Sequence, residues 1–342
     1  MVEKKPPTRL SLILLLIPVV ISVPLVLGFL GRFHPAFDAF AHFRAHLAVL
    51  MGLFALPLFF TAMKREAVMI LLFAAMAFAT TQSSSSLKRL AQSGTEATAE
   101  TGAPTAEYRL LQLNLRFDNS SQADVLRLIG RENADVITLQ EVSAEWLPKL
   151  KLLESRYPYR LDCAMDQAIG GISILSRRPF PEAGISLCFN GDSFAVASID
   201  LGGQTVHIAN IHMQWPWPHD QNEQMGKLIS EMVAVPHPLL MAGDFNAVPW
   251  SQTIRQLQSF TRTERVSGLG PSWLHRFLPA SAARWIGLPL DHVLASEDII
   301  VRGAEMLAPV GSDHLPIRLR FSLKKKPADP EAEQQVQTVG LQ

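Results

Sequence analysis

Several side chains suited to metal binding and proton transfer stand at or beside the ends of apolar runs. The clearest case is Met241-Ala242-Gly243-Asp244-Phe245-Asn246-Ala247-Val248-Pro249. The apolar residues leading from Pro238 read as a buried strand that ends at Gly243. Asp244 and Asn246 lie two apart, so extended backbone points them the same way. A carboxylate beside a carboxamide can handle a water molecule and an anionic oxygen together. The same residues also suit an ordinary turn, so their company decides. Asn114, Glu141, His212, Asp291, Asp313 and His314 occupy comparable places along the chain.

Carboxylates and carboxamides with few nitrogens form a hard oxygen set, which suits Mg²⁺ or Mn²⁺ better than zinc. No Walker glycine loop, HExxH or GxSxG motif occurs, so the chemistries those motifs serve are set aside. Phosphate-ester hydrolysis is what the remaining residue types best support. Asp291 is a candidate partner for a histidine. Singly, each residue has an ordinary alternative: Glu141 can face water, His212 can be a satisfied core histidine, and Asp313 can belong to a turn.

The elements that must position these residues are mostly strands. Residues 108–115 interleave polar and apolar positions and end near Asn114, and residues 136–139 deliver Gln140 and Glu141. Further strands are predicted over 170–176, 193–201, 204–213, 290–294 and 316–321, with a hairpin at Gly202-Gly203. Helices are predicted over 122–131, with Val125, Leu126 and Ile129 inward, over 143–153, and from a capping box at Asp220 and Glu223 to about 233. Strands with polar ends suit a two-layered β-sandwich with helices outside and loops converging at one rim.

Residues 108–322 resemble the endonuclease/exonuclease/phosphatase superfamily, which includes deoxyribonuclease I. The motifs are Leu113-Asn114, Leu139-Gln140-Glu141-Val142, Asn210-Ile211-His212, Gly243-Asp244-Phe245-Asn246, Leu290-Asp291-His292 and Ser312-Asp313-His314, in the family's order. The resemblance implies an α+β fold, a four-layered α/β-sandwich of two packed, mostly antiparallel sheets flanked by helices. It implies Mg²⁺, with Mn²⁺ as the alternative, held by Glu141 with Asn114 and Asp313 close by. Asp244 would orient or deprotonate the attacking water, and Asn246 and His212 would hold phosphate oxygens. His314 would act at the phosphate while Asp291 hydrogen-bonds its far nitrogen. The implied substrate is a phosphodiester: nucleic acid first, in a nuclease-like endonuclease or exonuclease. The alternative is a phospholipid or phosphoinositide, as for a sphingomyelinase. A non-enzymatic membrane scaffold ranks third. Trp215, Trp217 and Trp273 are the substrate-binding candidates, though tryptophans at a rim can stack on a base, grip a lipid interface or simply pack. Trp285, Arg276 and Arg284 fall in a second candidate recognition segment.

The first part of the chain is of another kind. Residues 10–30 form an almost unbroken apolar run, interrupted by Pro18 and Pro24, and 47–63 and 67–80 are further runs. The expected organisation is a membrane region of about three transmembrane helices over 1–81, a tether over 82–106, a catalytic domain over 107–323 and a disordered tail over 324–342. The length of the first run and the lack of a small-x-small site near Gly28 speak against a cleaved signal peptide. Lys4, Lys5 and Arg9 before the first run and Lys64 and Arg65 before the third place those segments in the cytoplasm, against Arg32 and Arg44 outside. The chain is therefore expected to be an integral protein of the inner or plasma membrane with its catalytic domain on the extracytoplasmic side. Lys88 and Arg89 count against this, and a third run that does not cross would reverse it. His34, His42 and His46 fit no tight metal site and read as interfacial polar residues. Cys163 and Cys188 have no CxxC spacing and read by default as separate buried thiols, with a disulfide open to a domain outside the cytoplasm. The formal net charge is zero, and the segment after residue 106 is slightly acidic. That is no footprint for tight nonspecific nucleic-acid binding. The bilayer is the only further partner expected, with no protein partner.

Overall fold

Strands rich in Leu, Ile and Val, each offering one face to the opposite layer, build two packed six-stranded sheets. The computed structural model describes residues 6, 8–82, 106–163, 169–189, 193–275, 277–278 and 280–324. The tether and tail therefore lie, but for residues 82, 106 and 324, outside the described residues, as does Arg276.

The first sheet contains β1 (Tyr108–Asn114), β2 (Val136–Val142), β3 (Tyr159–Cys163), β4 (Gly171–Ser176), β11 (Ile299–Met306) and β12 (Ile317–Leu323), in the order β11-β12-β1-β2-β4-β3. The second contains β5 (Ser186–Phe189), β6 (Phe194–Asp200), β7 (Thr205–His212), β8 (Leu239–Asp244), β9 (Thr263–Arg265) and β10 (Asp291–Ser296), in the order β5-β6-β7-β8-β10-β9. β1 runs parallel to β2, and β7 to β8, so the sheets are mixed; the other ladders are antiparallel. Leu110, Ile174, Ile208, Leu240, Val293 and Leu319 fill the space between the sheets.

Helices cover the outer faces. α5 (Gln122–Glu132) buries Val125, Leu128 and Ile129, so Leu128 takes the place expected of Leu126. α6 (Leu147–Lys151) is much shorter than the helix predicted over 143–153, because Pro148 fits only a first turn. α7 (Gln221–Ala234) starts at Asp220 without the expected capping box: Asp220 makes no side-chain cap, and Glu223 pairs with Lys227 at 2.6 Å instead. α8 (Gln252–Thr261) and the short α9 (Ala280–Ile286) complete the domain. The expectation of separate thiols is overturned: a disulfide joins Cys163 on β3 to Cys188 on β5, linking edge strands of the two sheets.

The N-terminal region comprises α1 (Arg9–Leu27), α2 (Pro35–Ala41), α3 (Arg44–Ala55) with a 3₁₀ extension over Leu56–Phe60, and α4 (Lys64–Ala79). Leu25, Ala48, Met51, Ala74 and Ala77 pack together, while Leu10, Ile13, Leu16, Leu53 and Leu72 stay exposed. Among the described residues, α1 alone is long and apolar enough to cross a membrane; α2 and α3 pass the same test only as a pair bent by 62°. α4 has 16 residues, or about 24 Å at 1.5 Å per residue, against a hydrocarbon core of roughly 30 Å.

Candidate active site

Register sets the centre of the site. Asp244 at the end of β8 pairs with His212 on its parallel neighbour β7 and with Asp291 on its antiparallel neighbour β10. Gly243 lets β8 approach β7 so closely because any Cβ there would collide with the Ile211 carbonyl. From the facing sheet, Asn114 reaches across: its Nδ2 donates to Glu141 Oε1 at 2.9 Å and to Asp244 Oδ2 at 3.1 Å.

Glu141 sits in a bulge of β2 at φ 56°, and Asn246 follows β8 at φ 44°. Left-handed backbone is uncommon outside glycine and persists where the surroundings hold it. At both positions it re-aims a polar side chain at the cavity. Glu141 accepts from Asn114 and from the Phe117 amide at 2.9 Å, and burial nonetheless pushes its pKa up.

His314 lies in the loop before β12, with Nδ1 2.7 Å from Asp291 Oδ2 and Nε2 3.6 Å from Asp244 Oδ2. Burial alone would lower its pKa, but Asp291 and Asp244 outweigh it and hold the imidazole at about 10. Burial pushes Asp244 up to about 6 against the pull of His314. His212 Nε2 is 3.8 Å from Asp244 Oδ2, and burial lowers its pKa. Asp291, despite burial, is held below the ordinary range by His314, Ser272 and Gln112.

Glu141, His212, Asp244, Asn246, Asp313, His314, Trp215 and Trp273 line one cavity of about 230 Å³. Trp273 Nε1 donates to Asp313 Oδ2 at 3.2 Å, and Trp215 meets the Trp273 ring edge-on at 5.8 Å. Trp217 is not brought there. It faces a separate groove with Arg32, His34 and Asp38.

Sequence reasoning missed the polar bridge beneath the site. Gln112 Nε2 donates to Gln140 Oε1 and Asp291 Oδ1, each at 2.9 Å, and Gln140 Nε2 donates to Asn210 Oδ1 at 2.6 Å. Asn210 in turn donates to the Leu139 and Ser173 carbonyls. This network crosses between the sheets and fixes Asp291 from behind. The signal was available, since Gln112, Gln140 and Asn210 interrupt otherwise apolar strands.

The donor set fits a divalent cation. Asp244, Asp291 and His314 bring ligand-type atoms within 4.8 Å of one another, a cluster that either a cation or the His314 proton can bridge. Glu141 and Asp313 add carboxylates to the same cavity. The buried Asn246 Oδ1 has no hydrogen-bond partner, while its Nδ2 donates to the Met213 carbonyl at 2.7 Å. An orphan acceptor beside clustered carboxylates is what a hydrated cation would satisfy.

The fold and this site define a phosphoesterase class, and comparison with known proteins agrees. The profile of the Endonuclease/Exonuclease/phosphatase family matches residues 111–314, and the chain belongs to that family. It is 35% identical over 124 residues to a UPF0294 protein of Vibrio vulnificus, a match that spans 35% of this chain and 41% of that relative. A UPF0294 protein of Vibrio cholerae is 31% identical over the same length. Among solved structures, TDP2 of D. rerio complexed with a single-strand DNA product superposes with a TM-score of 0.52 at 15% identity, covering 64% of this chain and 99% of that one. An endonuclease/exonuclease/phosphatase of Beutenbergia cavernae gives 0.51 at 18%, over 65% and 73%. At such identities the likeness is one of fold.

Proposed function

We propose that this chain is a membrane-anchored phosphodiesterase that uses Mg²⁺ or Mn²⁺. The observation that carries the reading is a buried imidazole between two carboxylates, Asp291–His314–Asp244, on the same cavity as Glu141 and Asp313. His314 stays protonated near neutral pH and can donate from Nε2 to the oxygen that leaves as the P–O bond breaks. Asp244 accepts the proton of the attacking water, its Oδ1 fixed by the Asn246 amide at 2.9 Å. His212 and the second hydrogen of Asn246 Nδ2 bind phosphate oxygens. Glu141 and Asp313 are assigned to the cation. Asn114 would join them only by turning its carboxamide, since its Oδ1 now accepts from the Arg116 amide. A cation among Asp244, Asp291 and His314 themselves is disfavoured, because it would expel the His314 proton. When bound, the cation neutralises charge developing on the phosphoryl group.

Two observations support anchoring with the catalytic domain outside the cytoplasm. Residues 31–46 pack directly on the catalytic domain, through His42, His46 and Asp38. Both therefore lie on one side of the bilayer, which an even number of crossings by α3 and α4 permits. The Cys163–Cys188 disulfide belongs to an oxidising compartment. On this reading residues 1–81 are the anchor and 107–323 the catalytic domain.

For the substrate, Trp215 and Trp273 form a wall on which a nucleic-acid base can stack. A second reading, a phospholipid, is favoured by one observation. Trp285 is 88% exposed, and it adjoins Ile286, whose carbonyl meets His46 near the start of α3. The test uses the full chain in lipid nanodiscs with Mg²⁺, Mn²⁺ or EDTA. The substrates are plasmid and single-stranded DNA, RNA, sphingomyelin and a phosphoinositide. Metal-dependent hydrolysis of one of them is expected; hydrolysis of none would remove the proposal.

A further inference from the structure

The segment between α1 and α3 packs behind the active-site loop of the catalytic domain. His42, 2% exposed, places Nε2 3.2 Å from the Asn246 carbonyl oxygen, 204 residues away in sequence. One helical turn earlier, Asp38 accepts from the amides of Gln252 at 2.7 Å and Thr253 at 3.2 Å, the first residues of α8. Ser251 caps the Ile254 amide of the same helix. A carboxylate is favoured at a helix N-terminus, where amides lack intrahelical partners. Between these two anchors, Trp250 Nε1 donates to the Ala41 carbonyl at 2.7 Å. Ala41 packs with Val248, Leu288 and Leu290.

These contacts close on themselves. Thr253 Oγ1 is 3.1 Å from Gln221 Oε1, and Gln221 Nε2 donates at 2.9 Å to the same Asn246 carbonyl that His42 meets. The loop 244–253 is thus gripped at both ends, and one side of the grip comes from the N-terminal helices. What it holds is the left-handed Asn246 and the amide that fixes Asp244 Oδ1. Gly31 packs directly against the Asp38 carboxylate, too closely for any side chain.

We propose that His42 and Asp38 are positioning residues of the catalytic site, so that the membrane region is part of the catalytic machinery as well as its anchor. The proposal rests on the phosphodiesterase reading above. A small displacement of a catalytic group costs rate out of proportion to its size.

The test compares His42→Ala, His42→Gln and Asp38→Asn in the full chain in nanodiscs. Steady-state kinetics are measured on whichever phosphodiester the wild type cleaves, and amide hydrogen exchange over residues 245–253. His42→Ala is expected to lower kcat by about ten- to a hundredfold with little change in KM, and to speed exchange of the loop. His42→Gln, whose carboxamide can donate to the same carbonyl, restores both. Asp38→Asn shifts both in the direction of His42→Ala, and carries the comparison should that variant not fold. Unchanged exchange overturns the proposal, as does faster exchange with unchanged kcat or equal loss in the Ala and Gln variants. A wild type that cleaves nothing fails the phosphodiesterase reading and with it the catalytic role; exchange still reports whether the grip exists.

Discussion

Asp291 Oδ2 lies 2.7 Å from His314 Nδ1, and both side chains are buried. The second ring nitrogen is left facing Asp244 and the cavity. One residue pair thereby sets the charge and the aim of the imidazole.

The first prediction concerns pH. Hydrolysis needs Asp244 ionised, with its pKa pushed up to about 6 by burial, and His314 protonated, with its pKa held at about 10 by Asp291 and Asp244. Activity should fall as pH drops through the lower value and again as it rises through the upper. Asp291→Asn removes a charge that raises the histidine's pKa, so the alkaline limb should move towards neutrality. The loss in kcat should be about 10²- to 10⁴-fold, as for removal of a general acid's support. A pH–rate profile with an unmoved alkaline limb would contradict the pairing.

EDTA should abolish turnover, and Mg²⁺ or Mn²⁺ should restore it. Glu141→Gln should raise the Mg²⁺ concentration needed for half-maximal activity by at least about tenfold, the scale on which disturbed ligand shells act. Titration of activity against free Mg²⁺ reads this directly. A wild-type titration curve in the variant would remove Glu141 from the cation.

Replacing Cys163 and Cys188 by Ala should cost about 3 kcal/mol for a cross-link closing a separation of 25 residues. Scanning calorimetry should show a fall in Tm of roughly 6–12 °C. In intact cells the two thiols should react with a maleimide only after reduction. A reporter active only in the cytoplasm, fused after Leu323, should remain silent; activity would reverse the proposed topology.

His292 packs behind the loop, its Nε2 2.7 Å from the Ala247 carbonyl. Burial depresses its pKa from 6.5 to about 3. The unfolded chain therefore binds this proton more readily, and stability should decline as pH falls from the ordinary value towards the depressed one. The slope contributed is at most about 1.4 kcal/mol per pH unit. Chemical denaturation between pH 7 and 4 measures it, and His292→Gln should flatten the slope.

The central strands were legible because burial on both faces demands near-continuous apolar residues, as in Val136–Ile137 and Leu239–Ala242. Their polar ends, Asn114, Glu141 and Asp244, stood out against that background. The edge strands β3, β5, β9 and β11 were not legible: β5 is exposed or half-buried throughout, and β11 is broken by a bulge between Val301 and Gly303. Local rules failed where a tertiary partner competed. Ser143 opens the helix predicted over 143–153, yet its hydroxyl donates to the Phe117 carbonyl and the helix starts only at Leu147. Trp217 was grouped with Trp215 by proximity along the chain, yet faces another groove. His42 and Asp38 could not be read at all, since their partners lie 204 and 214 residues away.

The staple between β3 and β5 makes the two leaves of the domain resemble a book bound along its spine. At the opposite margin, Arg265 and Ser267 face Val301 and Ala304 across an open groove of about 1030 Å³. Thermal breathing is expected to begin at that unbound margin. Asp291, on β10, stands one strand from it, whereas Glu141, on β2, sits closer to the spine. On gentle warming Asp291 should therefore slacken before Glu141 does.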